Sequence, residues 1–474
     1  MNQQHMPLAE HLQAFAKSNA ISFHVPGHKH GQVFTPDYHA DFQQLLSWDV
    51  TEISGMDDLH APTGVIAEAE RLAADFFKTQ HTFFLVGGST AGNLAMILAT
   101  CKQGDKVLIQ RNCHKSVMNG VELAGAQPIF LAPDWDECVS RYTSPSYETV
   151  EAAIEQHPDA KALILTYPDY FGQTYHLKAM IEKAHQFDIL VLVDEAHGVH
   201  FTLGDPFPAS AIQLGADAVV HSAHKMAPAM TMASYLHIVT QRIDQTQIAH
   251  YLQIIQSSSP SYVLMASLDI ARHFLANFSK EAQIKTIKSV EHVKNLLLNL
   301  PFWDFVPSAD PLKLTFHVKH SFSTKSMVEL LEKAGIFPEL ATDEQILFIH
   351  GLAPFAQKDR LEKRLKTIGH PLKNSVNHAT IERTNFFPKK IQELDLSYQE
   401  MNNYTTYPVP MKEGIGEIAA EAVIPYPPGI PLILKGEKIT GAHITRLEKL
   451  VEQGVRLQHR DVSVRIYRNK GERL

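Results

Sequence analysis

Residues 189–198, ILVLVDEAHG, decide how this chain is read. A run of branched apolar residues too short for a helix ends abruptly in Asp194 and Glu195, then His197 and a glycine. Such a run, bounded by a turn signal, reads as a strand buried on both faces. The same pattern returns in ADAVVHSAHK, residues 216–225, whose apolar part stops at His221, Ser222, His224 and Lys225. Between the two lies the helical pattern ASAIQLG, residues 209–215. Strand, helix and strand make one crossover unit, so Asp194 and Lys225 are expected at neighbouring tips on one edge of a sheet.

Working outward, the alternation repeats. TFFLV (82–86), the turn GGST, the helical AGNLAMILATCK (91–102) and the strand KVLIQ (106–110) precede KALILTY (161–167) and the helical HLKAMIEKAHQF (176–187). Continuous apolar strands separated by helices predict an α/β fold with a mostly parallel central sheet, and function at the strands' C-terminal ends. Residues 7–18 form an amphipathic helix pattern, and FHVPGHKHG (23–31) is a loop. Helical patterns dominate 240–300. PLKLTFHVKH (311–320) then opens a second series containing strands, which closes on the proline-rich VIPYPPGIPLILKGEKIT (423–440). The expected division is a large domain over 1–308 and a smaller α+β domain over 309–474.

Composition narrows the partners. The 474 residues carry 43 Lys+Arg against 51 Asp+Glu, a formal charge of −8, which leaves no basic footprint for nucleic acid. Cys101, Cys113 and Cys138 form no CxxC pair and suit a reducing compartment. No signal-peptide pattern opens the chain, and no run of about 18 apolar residues marks a membrane span. A cytoplasmic protein that meets small molecules or copies of itself is expected.

The stretch VGGSTAGNLAMIL (86–98) ends a strand in glycines and opens a helix with Ser89 and Thr90. Free backbone N–H groups and the positive helix end there make an anion site. Gly87 and Gly92 have P-loop spacing, but Asn93-Leu94 stands where that motif needs Lys-Ser/Thr, so a nucleotide is disfavoured. An anion cradle, an acid and a lysine from one parallel sheet instead suit pyridoxal 5′-phosphate. Lys225 would hold the aldehyde as a Schiff base, Asp194 would keep the pyridine nitrogen protonated, and Ser89, Thr90 and Ser222 would bind the phosphate. In QRNCHKS, His114 follows another strand and offers a flat ring to stack on the pyridine, and His197 could orient Asp194 or meet the substrate. HVPGHKH lacks the cysteines or the HExxH pattern of a zinc site, so no metal is expected.

These residues resemble the fold type I, pyridoxal-phosphate-dependent ornithine/lysine/arginine decarboxylases, and the resemblance spans nearly the whole chain. FHVPGHKHG, DVTEISGMDDLHAPTG, FFLVGGSTAGNLAMI, RNCHKS, DEAHGVH, SAHK, SSSPSY and PYPPGIP are similar to family motifs in the same order. The likeness implies Lys225 as the Schiff-base lysine, Asp194 as the pyridinium partner, His114 as the stacking residue, and phosphate contacts from Ser89, Thr90, Ser222 and His224. It implies a basic amino acid as substrate (arginine or lysine before ornithine), polyamine metabolism as the setting, and at least a homodimer, with Ser257 to Tyr262 near a neighbouring subunit's cofactor. The length resembles the family's short Gram-positive branch.

The chain departs from the family pattern at Gly87, where Asn is frequent, at Asp169 in YPDYFG, where Thr is usual, and at Pro228 and Met232 in KMAPAMTMAS. A carboxylate at 169 is expected either to alter substrate choice or to weaken phosphate binding by repulsion. Asp57, Asp58 and Glu421 are candidates for the group that receives the substrate's distal charge, and each also reads as a cap or turn residue. Two rivals share the same lysine and acid. One is an aminotransferase or aldolase acting on another bond at Cα, the other a catalytically silent paralogue that only binds the cofactor.

Overall fold

The structure is a computed structural model that describes residues 1–369, 387, 389–426, 431–452, 456–457 and 463–469. The chain forms two compact units. One comprises Met1–Cys101 and Leu177–Ser279, the other Lys102–His176 and Lys280–Leu474.

In the first unit, the strands Leu190–Asp194 and Ala218–His221 lie side by side and parallel, with Asp194 opposite Val220. The apolar runs read from the sequence do form these strands, and every residue in both is buried. Ala218–His221 pairs on its other side with Ser234–Ile238, which in turn pairs with His81–Leu85; both pairings are antiparallel. His81–Leu85, Leu190–Asp194 and Ala218–His221 therefore point one way and Ser234–Ile238 the other. Helix Gly88–Thr100 packs on this sheet through Gly92, where a Cβ would stand 2.8 Å from Leu85 Cδ1 and 3.0 Å from Val220 Cγ1. Overpacking of this kind lifts a helix off its sheet, which accounts for glycine at that position.

One local expectation changes. The strand ending in Lys225 stops at His221. Ser222 then takes extended backbone angles and Ala223–Met226 makes a single helical turn, so Lys225 stands on that turn and not on the strand. The apolar continuation ASYLHI contains the antiparallel strand Ser234–Ile238. Between it and His221 there is only that one short turn of helix, too little to carry the chain over a face and back in parallel.

The second unit holds Lys106–Gln110 with Gln127–Leu131 and Ala162–Thr166 as parallel neighbours, and Ile391–Glu393 antiparallel on the outer edge of Gln127–Leu131. It also carries an antiparallel sheet of Trp303–Val306, Lys313–Val318, Gln345–Ile349 and Leu340–Ala341. Helices Lys280–Leu298, Thr324–Lys333 and Lys358–Leu365 accompany it. Further on, Tyr404–Pro410 pairs with Ser463–Asn469 over a core that includes Val409, Ala419, Ile433, Leu447 and Ile466. The mostly parallel sheet and the α+β remainder are the architecture the sequence predicts. Residues 427–430 of PYPPGIP lie outside the described residues. Just beyond them, Arg111 at the tip of Lys106–Gln110 donates to the carbonyls of Pro431 and Leu432 at 2.8 and 3.2 Å and pairs with Glu437 at 2.8 Å. Among the described residues no helix is long and apolar enough to cross a membrane.

Candidate active site

The parallel pairing of Leu190–Asp194 with Ala218–His221 brings the two polar tips together in the first unit. Lys225 Nζ lies 3.1 Å from His197 Nε2. Ser222 Oγ donates to Ser89 Oγ at 2.6 Å, which joins the lysine's turn to the first turn of helix Gly88–Thr100. Asp194 is buried and accepts from Asn93 Nδ2 at 2.9 Å and from the backbone N–H of Ala196 at 3.2 Å. Ser89, Asp194, His197, Ser222 and Lys225 are thus assembled in one unit. Thr90 is exposed in the same first turn as Ser89.

The helix opening is the candidate anion site. Gly87 is its cap and Gly88 has φ +73°, a conformation that glycine adopts without strain. The first-turn N–H groups have no partner within the helix. Upstream, the Gln256 side-chain oxygen accepts from the N–H of Val86 at 2.8 Å and of Gly87 at 3.3 Å, so it braces the strand-to-helix turn. At Gly87 a Cβ would come within 3.0 Å of Ala91 Cβ, so this departure from the family pattern relieves a tight contact.

His224 Nδ1 donates to the carbonyl of Ala233 at 3.2 Å, and burial, with Lys225 adding repulsion, lowers its pKa. Binding a phosphate through its other nitrogen calls for a second proton, which the anion's own charge would favour. His114 belongs to the second unit. There it caps helix Lys115–Ala124, with Nδ1 2.8 Å from Ser116 Oγ.

A donor-rich helix opening, a buried acid already held by an amide, and a lysine beside a histidine fit the three parts of pyridoxal phosphate: its phosphate, its pyridine nitrogen and its aldehyde. Residues 6–316 match the family described as "Orn/Lys/Arg decarboxylase, major domain", and residues 377–455 match its C-terminal domain. The chain belongs to this decarboxylase family. An uncharacterised Bacillus subtilis protein, YaaO, is 43% identical, with 95% of each chain covered. An arginine decarboxylase of the same organism is 36% identical, covering 97% of this chain and 96% of its own. The solved lysine decarboxylase of Francisella novicida superposes with a TM-score of 0.78 at 19% identity, over 98% of this chain and 81% of its own, a likeness of fold. The protein is accordingly a fold type I, pyridoxal-phosphate-dependent amino-acid decarboxylase.

In this decarboxylase two sequence-based candidates have other tasks. Asp57 does not wait for a substrate. Its carboxylate accepts from the N–H groups of Asp58, Thr63, Gly64, Ile66 and Ala67 at 2.8 to 3.2 Å, capping helix Val65–Phe77. Burial works to raise its pKa, but the donors from Thr63, Asp58, Ala67 and Gly64 outweigh it and hold the group low. Asp169 pairs with Arg141 at 3.1 Å, and its other oxygen accepts from the N–H of Phe171 at 2.9 Å and Gln173 at 2.8 Å. Its charge is therefore balanced by Arg141 and by the N–H groups of its own loop. Asn93 and Gln256 were not singled out by the sequence. Asn93 entered only as the residue that spoils a P-loop, although a polar residue on the inner face of an apolar helix was the available signal.

Proposed function

We propose that this protein decarboxylates a basic amino acid, arginine or lysine before ornithine, to CO₂ and the corresponding amine, with polyamine metabolism as its setting. The observation that carries the reading is Lys225 Nζ, 3.1 Å from His197 Nε2 on the turn that follows the strand beside Asp194. The preference for arginine draws support from arginine decarboxylases of Bacillus at 34–36% identity over nearly the whole chain. Lys225 would hold the cofactor's aldehyde and Asp194 its pyridine nitrogen. Ser89, Thr90, Ser222 and His224 would bind its phosphate, and His114 would stack on its ring. When bound, the cofactor supplies an electron sink for the pair left at Cα as CO₂ departs.

The chain's own residues then have separate tasks. Asn93 keeps Asp194 turned toward the helix side of the sheet. The Ser222–Ser89 contact holds the phosphate-side turn against the lysine's turn. His197, beside Lys225, is in position to take or return a proton at Nε2. Working copies would be cytoplasmic homodimers or larger assemblies. The large domain would end near residue 308, a division favoured by the extent of the family's major domain.

The test is to incubate the protein with pyridoxal phosphate and, separately, arginine, lysine and ornithine, then to measure CO₂ and amine. Release from arginine or lysine in stoichiometric pairs is expected. A keto acid in place of CO₂ would shift the reading to transamination, and no product with cofactor bound would shift it to a silent paralogue.

A further inference from the structure

Behind the candidate active site, on the other face of the same sheet, runs an unbroken line of buried polar side chains. Successive strand residues face opposite sides, and Asp194, bonded to Asn93 on the helix side, is followed by Glu195 on the far side. Glu195 is fully buried, and its carboxylate accepts from Ser210 Oγ at 2.6 Å, the N–H of Ala211 at 2.8 Å and His221 Nε2 at 2.6 Å. His221 Nδ1 meets His237 Nε2 at 3.0 Å, His237 Nδ1 meets Thr82 Oγ1 at 2.8 Å, and Thr82 Oγ1 meets Thr79 Oγ1 at 2.9 Å. Both imidazoles are fully buried, with the Phe77 ring centroid 5.5 Å from His221 and 4.5 Å from His237. The line starts at the end of Leu190–Asp194, crosses Ala218–His221 and Ser234–Ile238, and reaches His81–Leu85 at Thr82, with the half-buried Thr79 just beyond it.

Every member is satisfied. A carboxylate only accepts, so His221 Nε2 donates to Glu195. His237 is held neutral by burial, with His221 and His81 adding repulsion, and so presents one donor and one acceptor nitrogen. An apolar core would pack this space without the desolvation cost of two imidazoles and a carboxylate, but it would not fix side-chain directions as hydrogen bonds do.

We infer that His221 and His237 are positioning residues for the cofactor: by tying Glu195 to His221, they set the separation of the strand tip that carries Asp194 and the helical turn that carries Lys225. Glu195 directly follows Asp194, and His221 directly precedes Ser222 and the lysine's turn. The tie works alongside the backbone bond from Glu195 N–H to the Val220 carbonyl at 2.9 Å. The inference rests on the proposed roles of Asp194 and Lys225.

The test uses substrate-free protein. Pyridoxal phosphate binding is followed by absorbance, and the attached lysine is located by borohydride reduction and peptide mapping. His221→Phe should bind the cofactor on the order of tenfold more weakly, with a displaced visible band and an unchanged far-ultraviolet circular dichroism spectrum. His221→Gln, which keeps an N–H for Glu195 and an oxygen for His237, should return to within about threefold of wild type. Thr82→Val, which removes only the hydroxyl at the far end, should fall between them. Wild-type affinity and spectrum in His221→Phe, or a Gln variant no better than Phe, would overturn the inference. If His221→Phe does not fold, Thr82→Val decides, and behaviour identical to wild type overturns it. A wild-type protein reduced at a lysine other than Lys225 would overturn the cofactor assignment itself, whatever the variants do.

Discussion

Asn93 Nδ2 donates to Asp194 Oδ2 at 2.9 Å, and both residues are buried. This bond links the helix that opens at the candidate anion site to the strand that ends at the acid, so the two halves of the candidate cofactor site are held by one amide. Asn93→Ala would leave the buried carboxylate short of a donor, at a cost of about 1–3 kcal/mol. Cofactor affinity in an absorbance titration should fall by roughly tenfold, and Asn93→Asp should be worse because it sets a second carboxylate against the first. Unchanged affinity in both would mean that Asp194 is oriented by other groups.

Lys225→Ala is expected to remove covalent attachment of the cofactor and CO₂ release together. His197→Asn should keep the attachment and lower turnover by about 10²–10⁴, the range of a lost general acid or base. Absorbance spectra and CO₂ assays on the two variants separate these roles. Full turnover in His197→Asn would reduce that histidine to a neighbour of the lysine.

Arg141→Ala should destabilise the protein by about 3 kcal/mol, because it strands the largely buried Asp169 charge. It also removes a guanidinium 4.2 Å from the Phe171 ring. Thermal unfolding measures the loss, and the ratio of activity on arginine to activity on lysine should not move. If Asp169→Asn changed that ratio without lowering the melting temperature, the carboxylate would belong to substrate recognition.

Glu70 lines a cavity of about 40 Å³ together with Leu59, His60, Phe83 and Gln256. Burial pushes its pKa from 4.5 up to about 8; the N–H of Phe84 opposes the rise and the charge of Asp57 adds to it. The folded state thus holds a proton that the unfolded state releases, so this contribution to stability is full below pH 4.5 and is lost as pH rises to about 8. Glu70→Gln, which carries no such proton, should match wild type near the acid end and exceed its stability by a few kcal/mol at the alkaline end. Denaturant midpoints across that range check the sign, and parallel curves for the two proteins would show that Glu70 ionises freely.

Much of the site is written in short segments. Asp194, Ser222 and Lys225 were legible because each stands where an apolar run stops, and Ser89 and Thr90 because glycines precede a helical pattern. What short segments left open or misled has equally local causes. Asp57 in DVTEISGMDDLH reads as an available acid or as a cap, and the five N–H groups that the chain folds onto it choose the cap. Lys225 looks like the last residue of a strand because HSAHK alone does not reveal a helical turn.

The sequence by itself determined the fold class, the alternation of strands and helices in the segments it marked, and the polar residues that stand where apolar runs stop, because apolar periodicity and turn residues act over a few neighbours. Only the tertiary structure decided that Asn93 serves Asp194, that Gln256 braces the anion turn, and that Thr82, His237, His221 and Glu195 form one line. Those partnerships join residues far apart in the chain. They depend on strand register, where a slip of one residue turns every side chain to the opposite face, and no short segment carries that information.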